Sequence, residues 1–221
     1  MRRLVSMPAR VASLACCLLA AGHPAALAAP AGLPPEDLAA KARQGKEAMA
    51  AGRFGEAAAL YAEVVRVLPD EPGMLLNLGM ALSMAGRPSE AVPRLEAALR
   101  LRPDLLPASL FLGAVHMELG EPARAVPPLQ RVVAAQPDNQ EARRMLAEAL
   151  VALERYEAAA GQLRELADLA PQDPRAWYGL GRSYEGVARL AFEELQRSAP
   201  ESHYLLLLVA EAMTSEGRHA N

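Results

Sequence analysis

A spacing of 34 residues recurs along this chain and constrains its fold more than any other feature. Prolines keep this interval in three successive steps, at Pro69, Pro103, Pro137 and Pro171. Three series of small residues keep it too: Ala57, Ala91, Ala125 and Ala159; Gly45, Gly79 and Gly113; and Gly52, Gly86 and Gly120. A period of roughly 20 to 50 residues is typical of proteins built from stacked supersecondary units. The sequence therefore predicts one structural unit per 34 residues.

Each unit is predicted to be a pair of helices. The apolar residues are mostly Ala and Leu, and only 4% of the chain is aromatic, which favours helix over strand. Leu60, Val64 and Val67 show the three-and-four spacing of a buried helical stripe. Proline ends the second helix because it has no amide hydrogen and restricts the residue before it. Aspartates close behind the prolines are predicted to cap the next helix: Asp70, Asp104, Asp138 and Asp173.

The residues Trp177–Tyr184 carry a family resemblance. Their sequence, WYGLGRSY, matches the pattern W-x2-L-G-x2-Y of the tetratricopeptide repeat, and the alanine and proline series match the rest of that pattern. Leu78-Gly79 and Leu112-Gly113 match the first part again. On these residues the chain resembles tetratricopeptide-repeat proteins along nearly all of its length after residue 28. The resemblance implies an all-α fold, a right-handed superhelical α-solenoid of antiparallel helix hairpins.

The period divides the chain into segments. After a short linker at 29–37, four repeats are predicted at 38–71, 72–105, 106–139 and 140–173, which together span 38–173. The region 174–221 is a degenerate fifth repeat, because only 29 residues separate Pro171 from Pro200. The missing residues are those of the hairpin turn, so Trp177 to Ser198 is predicted to be one long helix. His203 to Glu216 resembles the first helix of a sixth repeat with no second helix to cover it.

Residues 1–28 have the composition of a signal peptide. Arg2, Arg3 and Arg10 precede an apolar stretch, and an Ala-x-Ala segment then ends at Ala28. The prediction is an exported protein, periplasmic or in the cell envelope of a bacterium. An uncleaved membrane anchor is one alternative, and a lipoprotein acylated on Cys16 or Cys17 is another. Membrane contact is expected only in those two cases.

The sequence contains no pattern typical of an enzyme. It has no Gly-rich phosphate loop, nucleophile elbow or His-Glu-x-x-His motif, and its four histidines lack a metal-ligand spacing. His116 and Trp177 are both predicted to be core-packing residues. The formal net charge is -3 and neither sign forms long runs, which disfavours nucleic acid. We expect no cofactor, no metal and no small-molecule substrate.

The resemblance implies a concave groove lined by the first helix of each repeat, where a protein or peptide partner binds. The family's groove positions fall on fifteen residues here: Lys46, Met49, Leu76, Asn77, Met80, Met84, Leu110, Met117, Glu141, Arg144, Glu148, Arg175, Tyr178, Arg182 and Glu185. The first half of this groove is rich in methionine, which adapts to varied apolar side chains, and the second half is charged. The hypothesis is an amphipathic helix or extended peptide with its apolar end toward Met80 and its charged end toward Arg182. In the alternative, the methionines pack within the array or under the linker.

Three readings of the function remain open at this stage. The first is a non-catalytic interaction scaffold of the cell envelope. The second is self-association through the uncovered C-terminal helix, which would make a homo-oligomer. In the third, the chain is a piece of a longer envelope protein. A two-carboxylate clamp for a C-terminal peptide is excluded, because Asn77 fits one of its places but Ala108 and Phe111 stand where cationic residues are required.

Overall fold

The described part of the chain is a row of packed helices. The computed structural model describes residues 35–208, which lie within the unit Leu33–Asn221, while the unit Met1–Gly32 falls outside them. The predicted signal peptide at 1–28 therefore lies outside the described residues. So does the predicted helix 203–216 beyond residue 208, although residues 203–208 are helical.

Nine helices precede that last segment, and residues 35–208 contain no strand. They are α1 Pro35–Ala50, α2 Phe54–Val67, α3 Pro72–Met84, α4 Pro88–Leu101, α5 Leu106–Glu118, α6 Pro122–Ala135, α7 Gln140–Ala152, α8 Tyr156–Leu169 and α9 Pro174–Ser198. Each packs on the next along the chain. The predicted all-α solenoid of antiparallel helix hairpins is confirmed. Among the helices of residues 35–208, none combines the length and the apolar character that a membrane span requires.

Local chemistry explains where these helices begin. Pro72, Pro88, Pro122 and Pro174 each occupy the first helical position, where a missing amide hydrogen costs nothing. Asp173 caps α9 as predicted, since its side chain accepts a hydrogen bond from the Arg175 amide. The predicted caps Asp70, Asp104 and Asp138 are wrong. The N-cap residues there are Glu71, Leu105 and Asn139, one position later, because the extended backbone that precedes the helix falls on those residues in α3 and α7.

The turn inside each hairpin needs a left-handed residue. Gly52, Gly86 and Gly120 have φ values of 72°, 73° and 70°. The equivalent residue of the fourth hairpin is Glu154, with φ 57°. A side chain in this conformation is strained, whereas glycine adopts it freely.

Close approach of the two helices in a hairpin depends on glycine on one helix and a large residue on the other. Gly79 of α3 faces Leu95 of α4, and Gly113 of α5 faces Leu129 of α6. Leu95 and Leu129 are fully buried. A Cβ atom on Gly113 would lie 2.5 Å from the Leu129 Cγ, so no larger residue fits without displacing the helices. The small-residue series therefore sets the distance between helices.

Helix α9 departs from the hairpin pattern. It is one continuous helix of 25 residues, and Gly186 near its middle lies against Tyr156, the first residue of α8. Val187 to Ala191 still lie beside the first turn of α8, and the seven residues after Ala191 extend about 10 Å further, at 1.5 Å per residue. Trp177 is 52% exposed, so its predicted place in the core is wrong. No second helix folds back over it in the described chain, and its indole N–H instead donates to the Pro171 carbonyl at 2.9 Å.

Candidate functional site

The first helices of the repeats line one side of the array. Among them α3 contacts α5, and α5 contacts α7. The second helices lie behind, each packed between two first helices. This arrangement follows from the hairpin geometry, and it brings residues that are 34 positions apart in sequence onto one surface.

A cavity of about 500 Å³ opens between α7 and α9, with α8 behind it. Its rim contains five of the predicted groove residues: Arg144, Glu148, Arg175, Tyr178 and Arg182. Its floor is apolar and comes from three helices: Ala147, Val151, Ala152, Leu163, Leu166 and Gly179. The charged half of the predicted groove thus encloses a space large enough for an apolar side chain.

Every arginine on this rim is already paired with an acid on its own helix or cap. Arg144 bonds Glu148 at 2.5 Å and Glu141 at 2.7 Å. Arg182 bonds Glu185 at 2.9 Å. These pairs are largely exposed, and such pairs contribute about 0–1 kcal/mol each. A ligand can therefore exchange them for its own charges at small cost.

The third rim arginine is held by the cap of α9. Arg175 donates to the Asp173 carboxylate from its side chain at 2.9 Å and from its amide at 3.0 Å. The side-chain bond first, and the amide bond second, hold the pKa of the Asp173 carboxyl below its usual range. Tyr178, one turn further along α9, is 72% exposed and stands beside the opening.

The methionine-rich half of the predicted groove is more buried. Met49 and Met80 are half-buried and pack against the core, as do Leu110 and Met117 further along. Leu76 is buried. Met84, at 48%, is the most open of the apolar groove residues in this half, and Lys46 is exposed while Asn77 is half-buried.

The cavity floor was not predicted from the sequence. Neither Leu163 nor Leu166 is among the residues predicted to line the groove. One sequence feature could have indicated the cavity, namely the small residue that recurs opposite a large one in each hairpin. Ala147 has this position in the fourth repeat, as Gly79 and Gly113 have in earlier repeats. Small side chains at Ala147 and Gly179 leave the space that Leu163 only partly fills.

His116 is buried, as predicted, and lies away from the cavity. Its Nδ1 is 2.8 Å from the Glu121 carboxylate, which links the end of α5 to the residue before α6. Among residues 35–208, no three His, Cys, Asp or Glu side chains come close enough together to hold a metal ion.

The fold and the site define the class of this protein: a helical-repeat solenoid with an apolar cavity between two of its first helices. The sequence profile of the tetratricopeptide repeat matches residues 42–105, 82–140, 110–174 and 144–185. The chain belongs to the tetratricopeptide repeat family.

Solved structures with this fold include MamA and YrrB. The chain is similar to MamA 41-end from Desulfovibrio magneticus RS-1 at 25% identity, with 76% of this chain and 98% of that one covered and a TM-score of 0.61. A further MamA crystal structure has 22% identity over 76% and 96% of the two chains, with a TM-score of 0.66. YrrB, described as a TPR protein with an unusual peptide-binding site, has 21% identity over 80% and 93%, with a TM-score of 0.64. No curated protein is significantly similar in sequence.

Proposed function

We propose that this chain is a non-catalytic scaffold that binds a peptide or helix of a partner protein in the groove of its first helices. The observation that carries the proposal is the cavity of about 500 Å³ between α7 and α9, with its apolar floor and charged rim. Peptide binding by YrrB, a protein of the same fold, supports it. The fifteen groove residues are the proposed contact surface, with the cavity as its anchor point.

The binding energies expected from apolar burial and from ion pairs indicate which peptides the cavity selects. Burying one Leu-sized or Met-sized side chain contributes about 1.5–3 kcal/mol. Exchanging an exposed ion pair at the rim contributes less, about 0–1 kcal/mol. The apolar anchor therefore supplies the affinity, and the rim charges supply orientation. Because Arg144, Arg175 and Arg182 are matched by acids, the partner needs an apolar side chain with flanking charges of both signs.

Because the methionines are half-buried, we expect the apolar end of the bound peptide at the cavity and not at Met80. The cavity floor offers more apolar surface to a bound peptide than Met49 or Met80 do, because those two side chains already pack on the core. Met84 remains the exposed apolar contact at the other end. We propose that a peptide runs from Met84 toward Tyr178 and inserts its main apolar residue beside Val151.

A peptide library displayed against the full chain tests this. Ala152 is exposed and lines the cavity, so Ala152→Trp fills the space without touching the core. Ala62 on α2 is also exposed, and Ala62→Trp is the matched control. We expect Ala152→Trp to weaken selected peptides roughly tenfold or more, from the loss of one buried side chain. Equal affinity of both variants would place the binding elsewhere.

We also propose that the scaffold works outside the cytoplasm, in the periplasm or envelope of a bacterium. The order of basic, apolar and Ala-x-Ala segments in residues 1–28 supports this. The N-terminal sequence of the protein purified from fractionated cells tests it. The expected result is a periplasmic protein whose first residue is Ala29. A cytosolic protein that still begins at Met1 would contradict the proposal.

A further inference from the structure

One face of α9 is apolar and carries no second helix of its own repeat within residues 35–208. Six residues spaced three, four or seven apart fall on it, and together they are called the α9 outer face: Trp177, Gly181, Tyr184, Ala188, Phe192 and Leu195. Trp177 is 52% and Tyr184 45% exposed, and Phe192 and Leu195 are half-buried. This face lies about 100° around the helix from Ala176, Leu180 and Ser183, the buried side on which α9 packs against α8, and Tyr184 at its edge contacts Arg164 of α8.

The same face is covered in the earlier repeats. Gly45 lies against Tyr61, Gly79 against Leu95 and Gly113 against Leu129, always with the second helix of the same repeat. Gly181 follows Gly113 by two periods, and a Cβ on it would meet nothing within 4 Å. At this position of the earlier repeats a second helix packs on the glycine, and at Gly181 no helix of residues 35–208 does so.

The residues of that missing helix are present in the sequence. Ala188, Phe192 and Pro200 have the same spacing as Ala159, Leu163 and Pro171 of the fourth repeat. Ala188 and Phe192 lie on the second half of α9, and Pro200 follows its end, because the hairpin turn is absent. Gly181 and Phe192 are eleven residues apart on one continuous helix, about 16 Å along its axis, so they cannot meet within one chain.

We propose that a second copy of this chain covers the α9 outer face. Two α9 helices pair antiparallel about a twofold axis, and the second half of each packs on the Gly181 region of the other. Phe192 of one copy then packs against Gly181 of the other copy, as Leu129 packs against Gly113 within the third repeat. Val187, Leu190 and Ala191 still lie beside the first turn of α8, and the residues of α9 after Ala191 extend past it, which leaves this end of the helix able to reach a second molecule.

The charges beside the outer face fit this register. With Gly181 opposite Phe192 of the second copy, Glu185 comes level with Ala188 of the second copy, which places it one residue, about 1.5 Å along the axis, from the level of Arg189, and the twofold axis repeats the pair. Both side chains are exposed. Opposite charges across the axis favour this register over one shifted by a helical turn, which would bring like charges together. The contact is isologous and closes at the dimer.

Two matched substitutions test the dimer in the full chain. Gly181→Arg adds a long side chain where the single molecule has open space, so the fold tolerates it while the paired helix cannot approach. Gly55→Arg is the control, since Gly55 is exposed on α2 with nothing near a Cβ. Light scattering after size exclusion should give twice the chain mass for the wild type and Gly55→Arg, and the single mass for Gly181→Arg.

A disulfide reports the register. In a chain with Cys16 and Cys17 replaced by serine, Gly181→Cys with Phe192→Cys should oxidise to a covalent dimer, because bonded cysteines need Cα atoms about 4.4–6.8 Å apart. Gly55→Cys with Phe192→Cys should stay uncrosslinked. Three results would overturn the proposal: a wild-type monomer, a dimer that survives Gly181→Arg, or a dimer abolished by removing residues 201–221 but unaffected by Gly181→Arg. The last result would assign self-association to the C-terminal segment.

Discussion

Single residues hold this array in its geometry, and the hairpin turns show how. Three turns use glycine at φ values near 70°, and the fourth uses Glu154 at 57°. The left-handed conformation costs a residue with a side chain about 1–2 kcal/mol. Glu154 also lies 3.8 Å from Arg189, an exposed pair of small energetic weight. The fourth hairpin is therefore the one whose turn is strained.

Glu154→Gly should stabilise the protein. Relief of the left-handed strain outweighs the extra chain entropy of glycine, so we expect a gain of about 0.5–1 kcal/mol in the free energy of unfolding. Glu154→Gln keeps the strain and removes the charge, so it should leave stability nearly unchanged. Urea unfolding followed by circular dichroism measures both. A larger gain from Glu154→Gln than from Glu154→Gly would refute the strain argument.

Gly113→Ala and Gly161→Ala form a matched pair on helices. The new Cβ at 113 would lie 2.5 Å from Leu129, and we expect a loss of about 1–3 kcal/mol from overpacking. At Gly161 in α8 nothing lies within 4 Å, and the higher helix propensity of alanine should add about 0.5–1 kcal/mol. The same unfolding experiment compares the two, and equal effects would contradict the packing role of Gly113.

Among the elements, α9 combines two roles. Its first turn supplies Arg175 and Tyr178 to the cavity, while a separate face supplies the outer face proposed to pair with a second copy. Both roles depend on where the helix starts, because one residue of shift rotates every side chain by about 100°. The Asp173 cap and Pro174 at the first helical position set that start.

Asp173→Asn should remove a pH-dependent part of the stability. The Asp173 pKa is lowered in the folded state by Arg175, so its contribution is present at neutral pH and is lost as pH falls through that folded pKa. Asparagine caps a helix equally well, which isolates the charge. The wild type should be the more stable at pH 7, with the difference vanishing in acid. Thermal unfolding of both proteins from pH 7 into acid measures this difference in stability. A difference that does not change with pH would show that the Asp173 charge is not its cause.

At the scale of the whole molecule, stability is a sum of neighbouring contacts. Helix α5 packs on α3, α4, α6 and α7, whereas α9 packs extensively only on α8 among the described helices. In a solenoid each unit is stabilised by the units on either side, so the end with one neighbour opens first. The groove cavity lies at this weaker end, between the fourth repeat and α9.

Hydrogen exchange should show this gradient. In the Gly181→Arg chain, where pairing of copies is blocked, amides of residues 190–198 should exchange much faster than those of α5. The amides of Ala108, Leu112 and Val115 of α5 are the reference, because these residues are buried whereas no α9 residue after Gly186 is buried. Equal protection of the two helices would contradict a stability set by neighbours.

Much of the architecture could be predicted, because a helix hairpin is a local structure. The 34-residue period, the proline series and the glycine series predicted the helix pairs, since each acts on neighbours in sequence. The cap prediction failed at three aspartates because the choice between adjacent polar residues depends on the backbone angles of the loop. Five of the groove residues meet at one cavity, and the depth of its floor could not be predicted from side-chain identity.

The amino-acid sequence alone determined the all-α fold, its repeat unit and its family, because periodic prolines, glycines and apolar residues act within one hairpin. The tertiary structure alone decided three things: the cavity over Leu163 and Leu166, the exposure of Trp177, and the open space beside Gly181 among the described residues of α9. The physical reason is that burial depends on what packs opposite a residue. For Trp177 and Gly181 the expected cover continues along the same helix instead of folding back.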